Sequence, residues 1–232
     1  MKVIKKIVII IVIISSIIVG YFGIKGYNMY KEAIEQTSLE TKISQIKAKE
    51  NYTKLEEIPS IYINAVIAVE DHRFYKHNGI DIIAIGRAAF NDIKQMKYVE
   101  GGSTITQQLS KNIYFTQEKK IERKFAEVFM AFKIEKECSK NEILELYINT
   151  SFYGDNCYTI KEASKHYFNK ESINMDKYEC VMLAGVPNAP SVYSPTKNLE
   201  LAKKRQSQVL NKMVEYKYLT KEEAENIKNK KY

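Results

Sequence analysis

The sequence has few cysteines and histidines, and it contains no recognisable metal or nucleotide motif. Its 232 residues include only three cysteines, which are widely spaced and form no CxxC pair. The three histidines do not form an HExxH string. This pattern predicts neither a disulfide framework nor a zinc site, because both need such residues at short, regular spacings. No Gly-Lys-Ser/Thr follows the glycine pair at 101–102 at the required spacing, which excludes a nucleotide-binding P-loop.

The net charge is positive, but no single stretch carries it. Lysine and arginine number 36 against 28 acidic residues, which gives a formal net charge of +8. Such a balance favours anionic partners, whether nucleic acid, anionic lipid or a phosphorylated substrate. Neither a zinc-finger spacing nor the aromatic-basic signature of a nucleic-acid module is present, so no nucleic-acid partner is predicted.

Residues 7–24 form an uncharged apolar run near the N-terminus. As a helix, these eighteen residues would span about 27 Å, close to the hydrocarbon thickness of a bilayer. Lys2, Lys5 and Lys6 precede the run, and the positive-inside rule then puts the short N-terminus in the cytoplasm. A cleaved signal peptide is the alternative, but the run is long for one and no small-x-small cleavage site follows. We therefore predict a cytoplasmic stub and transmembrane anchor over 1–24.

The rest of the chain is predicted to be mostly α-helical, because no stretch shows the alternation of a β-strand. Residues 25–57 are polar and weakly periodic, and we expect a stalk or membrane-proximal segment there. The main domain is expected over 58–232, beginning with a helix that Pro59 opens. Residues 82–97 have an amphipathic pattern, which predicts a helix whose buried face holds Ile82, Ile83, Ile85, Ala88, Ala89 and Ile93.

Residues 101–112, GGSTITQQLSKN, combine a glycine turn with a helix start. Thr104 and Gln107 have the spacing of a capping box, so the helix would direct its free N–H groups past the glycines at a ligand. Lys111 lies one turn after Gln107 on the same face. These groups would make a compact set of contacts for anions and hydroxyls. A capped helix without a ligand is the plainer alternative for the GGST part.

Two glutamates have surroundings that point to a site. Glu70 directly follows the apolar stretch 61–69, and a carboxylate there is costly to bury unless it has partners or lines a cleft. Glu127 shares a predicted helix with Arg123, one turn earlier, and part of its surroundings is apolar, which makes Arg123 its predicted charge partner. A solvated helix end for Glu70 and an ordinary surface ion pair for Glu127 are the alternatives.

Five segments resemble, in the same order, the motifs of the peptidoglycan glycosyltransferases, the family that includes the glycan-polymerising domain of bifunctional penicillin-binding proteins. The segments are 70–81, 101–112, 123–127, 139–149 and 181–190. They read EDHRFYKHNGID, GGSTITQQLSKN, RKFAE, SKNEILELYIN and VMLAGVPNAP. The resemblance implies a mostly α, lysozyme-like, two-lobed helical domain with an N-terminal transmembrane helix.

The resemblance also implies a reaction. Lipid II, an undecaprenyl-pyrophosphoryl disaccharide-pentapeptide, would be polymerised into β-1,4-linked glycan strands by inverting transfer, with release of undecaprenyl pyrophosphate. Glu70 would be the general base on the acceptor hydroxyl, and Glu127 would act near the leaving group. The substrate-binding residues would be Ser103, Thr104, Gln107, Gln108, Lys111, Asn112, Lys119 and Arg123. Family members often have arginine in place of Lys119, and lysine loses the bidentate phosphate contact.

Partners and location follow from the same resemblance. The expected partners are lipid II, the growing glycan chain, the membrane and other cell-wall synthesis proteins. No cofactor is expected to be required, with Mg²⁺ or Mn²⁺ at the pyrophosphate left open and no metal ligand assigned. The protein is expected in the cell membrane, with one span, a cytoplasmic N-terminus and an extracellular catalytic domain.

Other activities stay open at this point. No SxxK, SxN and KTG set occurs in a plausible order, so a monofunctional glycosyltransferase without a transpeptidase domain is expected. A lysozyme-like muramidase or a lytic transglycosylase would share the helical fold and a catalytic glutamate, but would not need Lys111 or the anchor. An inactive scaffold of the wall machinery is the non-enzymatic alternative, and the presence of Glu70, Glu127 and Lys111 argues against it.

Overall fold

The computed structural model describes residues 2–95, 101–116, 118 and 120–230. Within these ranges the chain forms α-helices and short 3-10 turns but no β-strand, which confirms the mostly α prediction. The α-helices are α1 Lys2–Gln36, α2 Leu39–Lys47, α3 Ser60–Glu70, α4 Ile82–Gln95, α5 Ile105–Tyr114, α6 Ile121–Glu137, α7 Lys140–Ile148, α8 Ile160–Phe168, α9 Lys177–Gly185, α10 Pro190–Tyr193, α11 Leu199–Glu215 and α12 Lys221–Lys228. The 3-10 turns are Leu55–Glu57, Phe74–Lys76, Ser172–Asn174 and Val186–Asn188.

Helix α1 is the predicted membrane anchor. Among the described residues it is the one helix long and apolar enough to cross a membrane. The side chains of residues 4–21 are all exposed, as lipid contact requires of an apolar helix. The helix continues without a break to Gln36, and its last turns pack on α6, where the rings of Tyr27 and Phe129 lie 5.3 Å apart. A packed helix therefore joins the anchor to the main domain.

Residues 25–57, where we expected a stalk, are folded onto the main domain. Leu39 and Ile46 in α2 are buried and belong to the main hydrophobic core. Further along, the Tyr52 hydroxyl and the Leu55 N–H donate hydrogen bonds to the two oxygens of Glu145. The segment thus contributes to the packing of the domain, and the boundary at residue 57 stays a prediction.

The core lies mainly between α3, α5, α7, α9 and α11. Helix α3 begins at Ser60, directly after Pro59, as the sequence predicts. Its Tyr62 is fully buried, with its hydroxyl 2.8 Å from that of Tyr153. In α9, residues 180–185 are all buried. Because these helices are tightly packed, they form a rigid support for the polar ends of α3, α5 and α6.

The orientation predicted for α4 is wrong. Ile82, Ile83 and Ile85, expected inside, are 75%, 61% and 43% exposed, and Ala89 is exposed too. Ala88 is buried as predicted, and the side chain of Ile93 lies outside the described residues. The periodicity correctly indicated a helix, but an apolar stripe does not reveal whether it faces a protein core or another apolar medium. The outward stripe of α4 is the kind of surface that a membrane or a partner covers.

Candidate active site

A cleft of about 850 Å³ opens where α3 ends and where α5 and α6 begin, with α11 alongside. Residues from six separate parts of the chain meet there. Its lining includes Glu70, Asp71, His72, Ser103, Gln108, Lys111, Arg123, Lys124, Glu127, Asn188, Tyr193, Arg205, Lys212 and Tyr216. The cleft brings together both glutamates that the sequence singles out, together with a group of cations.

Glu70 lies at the last turn of α3, with its side chain 7% exposed. Its Oε2 accepts a hydrogen bond of 2.8 Å from Gln108 Nε2. The Tyr147 hydroxyl donates to Gln108 Oε1 at 3.2 Å, which fixes the amide with its NH₂ group toward the carboxylate. Glu70 Oε1 is covered and has no hydrogen-bond donor among the described residues, but Arg205 Nη2 lies 3.6 Å away. Glu70 is therefore a buried, oriented carboxylate with a cation beside it.

Glu127 lies within α6 and is 1% exposed. Its Oε1 is 2.8 Å from Arg123 Nη1, which confirms the predicted ion pair, and its Oε2 is 2.7 Å from Lys124 Nζ. The Arg123 contact is close but not aligned as a hydrogen bond, since neither atom has a hydrogen-bond partner in the described part of the chain. Arg123 also lines the cleft, which places its positive charge beside any anionic ligand there. The buried carboxylate holds two cations together at the cleft wall.

Lys111 extends the cationic group from α5. Burial lowers the pKa of its ammonium, attraction to Glu127 opposes that effect, and repulsion from Arg123 and Lys124 adds to the lowering. Across the described residues, its ammonium takes part in no hydrogen bond or ion pair. Three neighbouring cations with one carboxylate among them leave uncompensated positive charge, which is the setting for a polyanionic ligand such as a diphosphate.

The start of α5 has the capping box that the sequence predicts. Thr104 Oγ1 accepts from the Gln107 N–H at 3.1 Å, and Gln107 Oε1 accepts from the Thr104 N–H at 3.0 Å. The Thr104 hydroxyl also donates to the Gly79 carbonyl at 2.6 Å. Next to them, Ser103 accepts a hydrogen bond of 2.7 Å from Lys124. These contacts fix the loop 101–104 against α6 at the mouth of the cleft.

Sequence comparisons assign the chain to a known family. A family profile described as Transglycosylase matches residues 37–214, which include all five motif segments. The chain belongs to this family. Its relatives include penicillin-binding protein 1A of Neisseria gonorrhoeae, 44% identical over 181 residues, or 78% of this chain and 23% of that protein. Penicillin-binding protein 1F of Bacillus subtilis (strain 168) is 45% identical over 170 residues, or 73% of this chain and 24% of that protein.

The relatives are much longer than the matched region. The chain spans 23% and 24% of the length of the two relatives above. Among solved structures, the crystal structure of penicillin-binding protein 1A from Haemophilus influenzae is similar to this chain. The match covers 78% of this chain and 17% of the Haemophilus chain, with 23% sequence identity and a TM-score of 0.48. The family match confirms the resemblance to the transglycosylase domains of penicillin-binding proteins.

Not all of the site residues predicted from the sequence line the cleft. Six of the ten predicted site residues line the cleft, and the unpredicted Lys124 lies among them. The six are Glu70, Ser103, Gln108, Lys111, Arg123 and Glu127. Thr104 and Gln107 are buried in the capping box and do not line the cleft. Asn112 is half-buried and also outside the lining. Lys119 lies outside the described residues.

Sequence reasoning missed several residues of the cleft. Lys124 follows Arg123 in the third motif segment, and its position three residues before Glu127 was the signal that could have revealed it. Arg205, Lys212 and Tyr216 come from the end of the chain, which reads as ordinary amphipathic helix. Nothing in local spacing indicates that α11 packs beside α3, so only the fold reveals these residues.

Two carboxylates and one imidazole lie close together at the edge of the cleft. They belong to Asp71, Asp81 and His77, and their potential metal-binding atoms are all within 4.8 Å of one another. Their oxygens already have partners. Asp71 accepts from His77 Nε2 and the Ile105 N–H, while Asp81 accepts from Arg73 and from two N–H groups of α4. These contacts give the cluster a structural role in joining the starts of α4 and α5.

A divalent ion at a diphosphate would also need carboxylate ligands among the cations of the cleft. Glu127 has Arg123 and Lys124 beside its two oxygens. Hard divalent ions prefer free carboxylate oxygens, so this donor set does not fit Mg²⁺ or Mn²⁺ well. No step of the reaction proposed below depends on a metal.

Proposed function

We propose that the chain polymerises lipid II into β-1,4-linked peptidoglycan strands by inverting glycosyl transfer, with release of undecaprenyl pyrophosphate. One observation carries the proposal: Glu70 and Glu127 line one cleft, and the cations Lys111, Arg123 and Lys124 cluster about the second glutamate. Transfer from a lipid-linked diphosphate needs a base for the acceptor and positive charge for the leaving group. Within this sequence, the proposed activity is glycosyl transfer alone.

The acceptor 4-hydroxyl is the nucleophile in this reaction. Its oxygen attacks the anomeric carbon of the donor sugar while its proton passes to the Glu70 carboxylate. Gln108 holds that carboxylate by donating to Oε2, and Oε2 keeps a lone pair because a carboxylate oxygen accepts more than one hydrogen bond. A positioned base of this kind typically contributes about 10²- to 10⁴-fold in rate.

The bond that breaks joins the anomeric carbon to the pyrophosphate, which leaves with the bonding electron pair. Its growing negative charge is stabilised by Lys111, Arg123 and Lys124. Glu127 keeps two of these cations in position and limits their mutual repulsion. Ser103 and Gln108 are the hydroxyl and amide groups available to orient the sugars. Thr104 and Gln107 act through the capped start of α5, and Asn112 and Lys119 stay predictions from the family resemblance.

The membrane arrangement proposed here follows the lipid nature of the substrate. Helix α1 crosses the bilayer with its N-terminus in the cytoplasm, and the domain with the cleft lies on the extracellular side. The exposed apolar surface of α1 supports the crossing, and the lysines at its N-terminal end support the orientation. A lipid-linked substrate then reaches the cleft without leaving the bilayer surface.

Incubation of the purified full chain with lipid II in detergent tests the proposal. We expect glycan polymer on a gel and no loss of preformed glycan. Glu70→Gln should lower kcat by about 10²-fold or more, because the amide cannot take up the hydroxyl proton. Glu56→Gln, at a glutamate side chain that is 78% exposed, is the matched control and should polymerise like the wild type.

Each competing interpretation has its own outcome in this assay. Cleavage of preformed glycan without polymer from lipid II would indicate a muramidase or a lytic transglycosylase. Neither polymer nor cleavage would indicate a scaffold. A Glu70→Gln protein that polymerises as fast as the wild type would exclude Glu70 as the base while leaving the overall activity intact.

A further inference from the structure

Arg205 comes from α11, outside the five motif segments, and reaches the base proposed above. Its side chain is 12% exposed, and Nη2 lies 3.6 Å from the covered Oε1 of Glu70. That oxygen has no hydrogen-bond donor among the described residues, whereas Oε2 has Gln108. Arg205 is thus the cation placed against the unsupported half of the carboxylate.

Arg205 is held in this position from several sides. Its Nε donates to the Gly185 carbonyl at 3.3 Å, and its Nη1 donates to Gln208 Oε1 at 3.1 Å. The guanidinium also lies over the ring of Tyr193, 5.7 Å from the centroid. A Cβ at Gly185 would be 2.9 Å from Arg205 Cγ, so the glycine provides the space for the side chain. These contacts distinguish Arg205 from a mobile surface arginine.

The position of Arg205 matches what a buried carboxylate base requires. Taking a carboxylate out of water is costly unless an opposite charge or hydrogen bonds compensate for it. Gln108 supplies one neutral hydrogen bond, which compensates only part of that cost. Arg205 supplies the opposite charge. Its Nη2 lies 3.6 Å from Glu70 Oε1, which is too far for a short hydrogen bond, so the contact does not bind the carboxylate tightly. The contact therefore offsets part of the cost of burial and leaves the carboxylate able to accept further hydrogen bonds.

We propose that Arg205 is a positioning residue for Glu70: it holds the covered oxygen and so keeps the carboxylate directed at the acceptor hydroxyl. This inference rests on the proposed function, because it assumes that Glu70 is the base. It gives α11 a role that differs from that of Lys111, Arg123 and Lys124, which face the leaving group. Loss of Arg205 should therefore affect the chemical step more than substrate binding.

The test compares Arg205→Gln, Arg205→Lys and the control Lys204→Gln, which removes one positive charge from an exposed neighbour on the same helix. With lipid II as substrate, Arg205→Gln should lower kcat about tenfold or more and change KM less than about threefold. Arg205→Lys should recover a substantial part of kcat, because it restores the charge. Lys204→Gln should match the wild type. A rise in KM with an unchanged kcat, or no recovery by lysine, would overturn the proposal.

Two further variants keep the result independent of folding. Gly185→Ala leaves every charge in place but moves Arg205, and it should also lower kcat while KM is kept. The double variant Glu70→Gln, Arg205→Gln should be no slower than Glu70→Gln alone, because Arg205 acts through Glu70. Multiplied losses in the double variant would contradict the inference. A wild-type chain that makes no polymer would instead contradict the proposed function, so the two failures are distinct.

Discussion

Gly26 in the anchor helix α1 lies directly against Phe125 in α6. A Cβ added at Gly26 would stand 2.4 Å from Phe125 Cβ and 2.8 Å from the Glu122 carbonyl oxygen. The same stretch of α6 carries Arg123 and Glu127 on the cleft side. The contact therefore connects the membrane anchor to the helix that holds the cations of the cleft.

Gly26→Val should weaken both the packing and the activity of the domain. The larger side chain must push α1 away from the backbone of α6, and overpacking of this kind costs about 1–3 kcal/mol. We expect a lower thermal midpoint and slower lipid II polymerisation in vesicles. Gly23→Val is the matched control, since a Cβ at Gly23 meets nothing within 4 Å. Equal effects of the two substitutions would show that the contact is unimportant.

Lys111 should determine the alkaline limit of substrate capture. Burial lowers its pKa below 10.5, and although Glu127 raises the pKa, the net shift is downward. As the pH rises, Lys111 therefore loses its proton before an ordinary lysine does, and the diphosphate loses one cationic contact. The alkaline limb of kcat/KM, which reports the free enzyme, is expected at a correspondingly lower pH.

Lys111→Arg tests this assignment, because a guanidinium stays charged at every accessible pH. The variant should move the alkaline limb of kcat/KM to higher pH. Lys47→Arg, on α2 away from the cleft lining, should leave the profile unchanged. If Lys111→Arg also leaves the limb where it is, another group sets the limit.

Local patterns in the sequence were enough to predict the helices and the first contacts of the site. The Thr104–Gln107 capping box and the Arg123–Glu127 pair depend only on neighbours within one helical turn, and both are present. The outward direction of Ile82 and the approach of Arg205 to Glu70 were not predictable in this way. They depend on how distant helices pack, which periodicity along one helix does not encode.

Lys124 should matter for substrate capture because it connects two parts of the cleft. Its ammonium lies 2.7 Å from Glu127 Oε2 and 2.7 Å from Ser103 Oγ. Lys124→Met removes a cation near the leaving group and frees the loop 101–104, so kcat/KM for lipid II should fall by about 10- to 100-fold. Lys136→Met, at an exposed position of the same helix, is the control and should have no effect. A comparable loss in both variants would indicate a non-specific effect of charge.

Asp81 should stabilise the fold at neutral pH without taking part in catalysis. It is 2% exposed and accepts hydrogen bonds from the Ile83 and Ala84 N–H groups and from Arg73. Burial raises the pKa of its carboxyl, but the Ala84 N–H and Arg73 outweigh burial and leave the pKa below 3.8. Because the folded state favours the charged form, this stabilisation is fully present above the unfolded pKa and is lost as the pH falls through the folded one.

Asp81→Ala should therefore lower the free energy of unfolding by about 1–3 kcal/mol at neutral pH, since it leaves α4 uncapped and Arg73 unpaired. Asp81→Asn should cost less, because its side-chain oxygen can still accept from α4. Urea unfolding of both variants and the wild type in detergent measures these losses. It is done at neutral pH and again at a pH below the pKa of Asp81 in the folded state. The difference in unfolding free energy between the wild type and Asp81→Asn should close in acid, because protonated aspartate and asparagine are both neutral there. A gap of the same size at both pH values would mean that the charge of Asp81 contributes nothing.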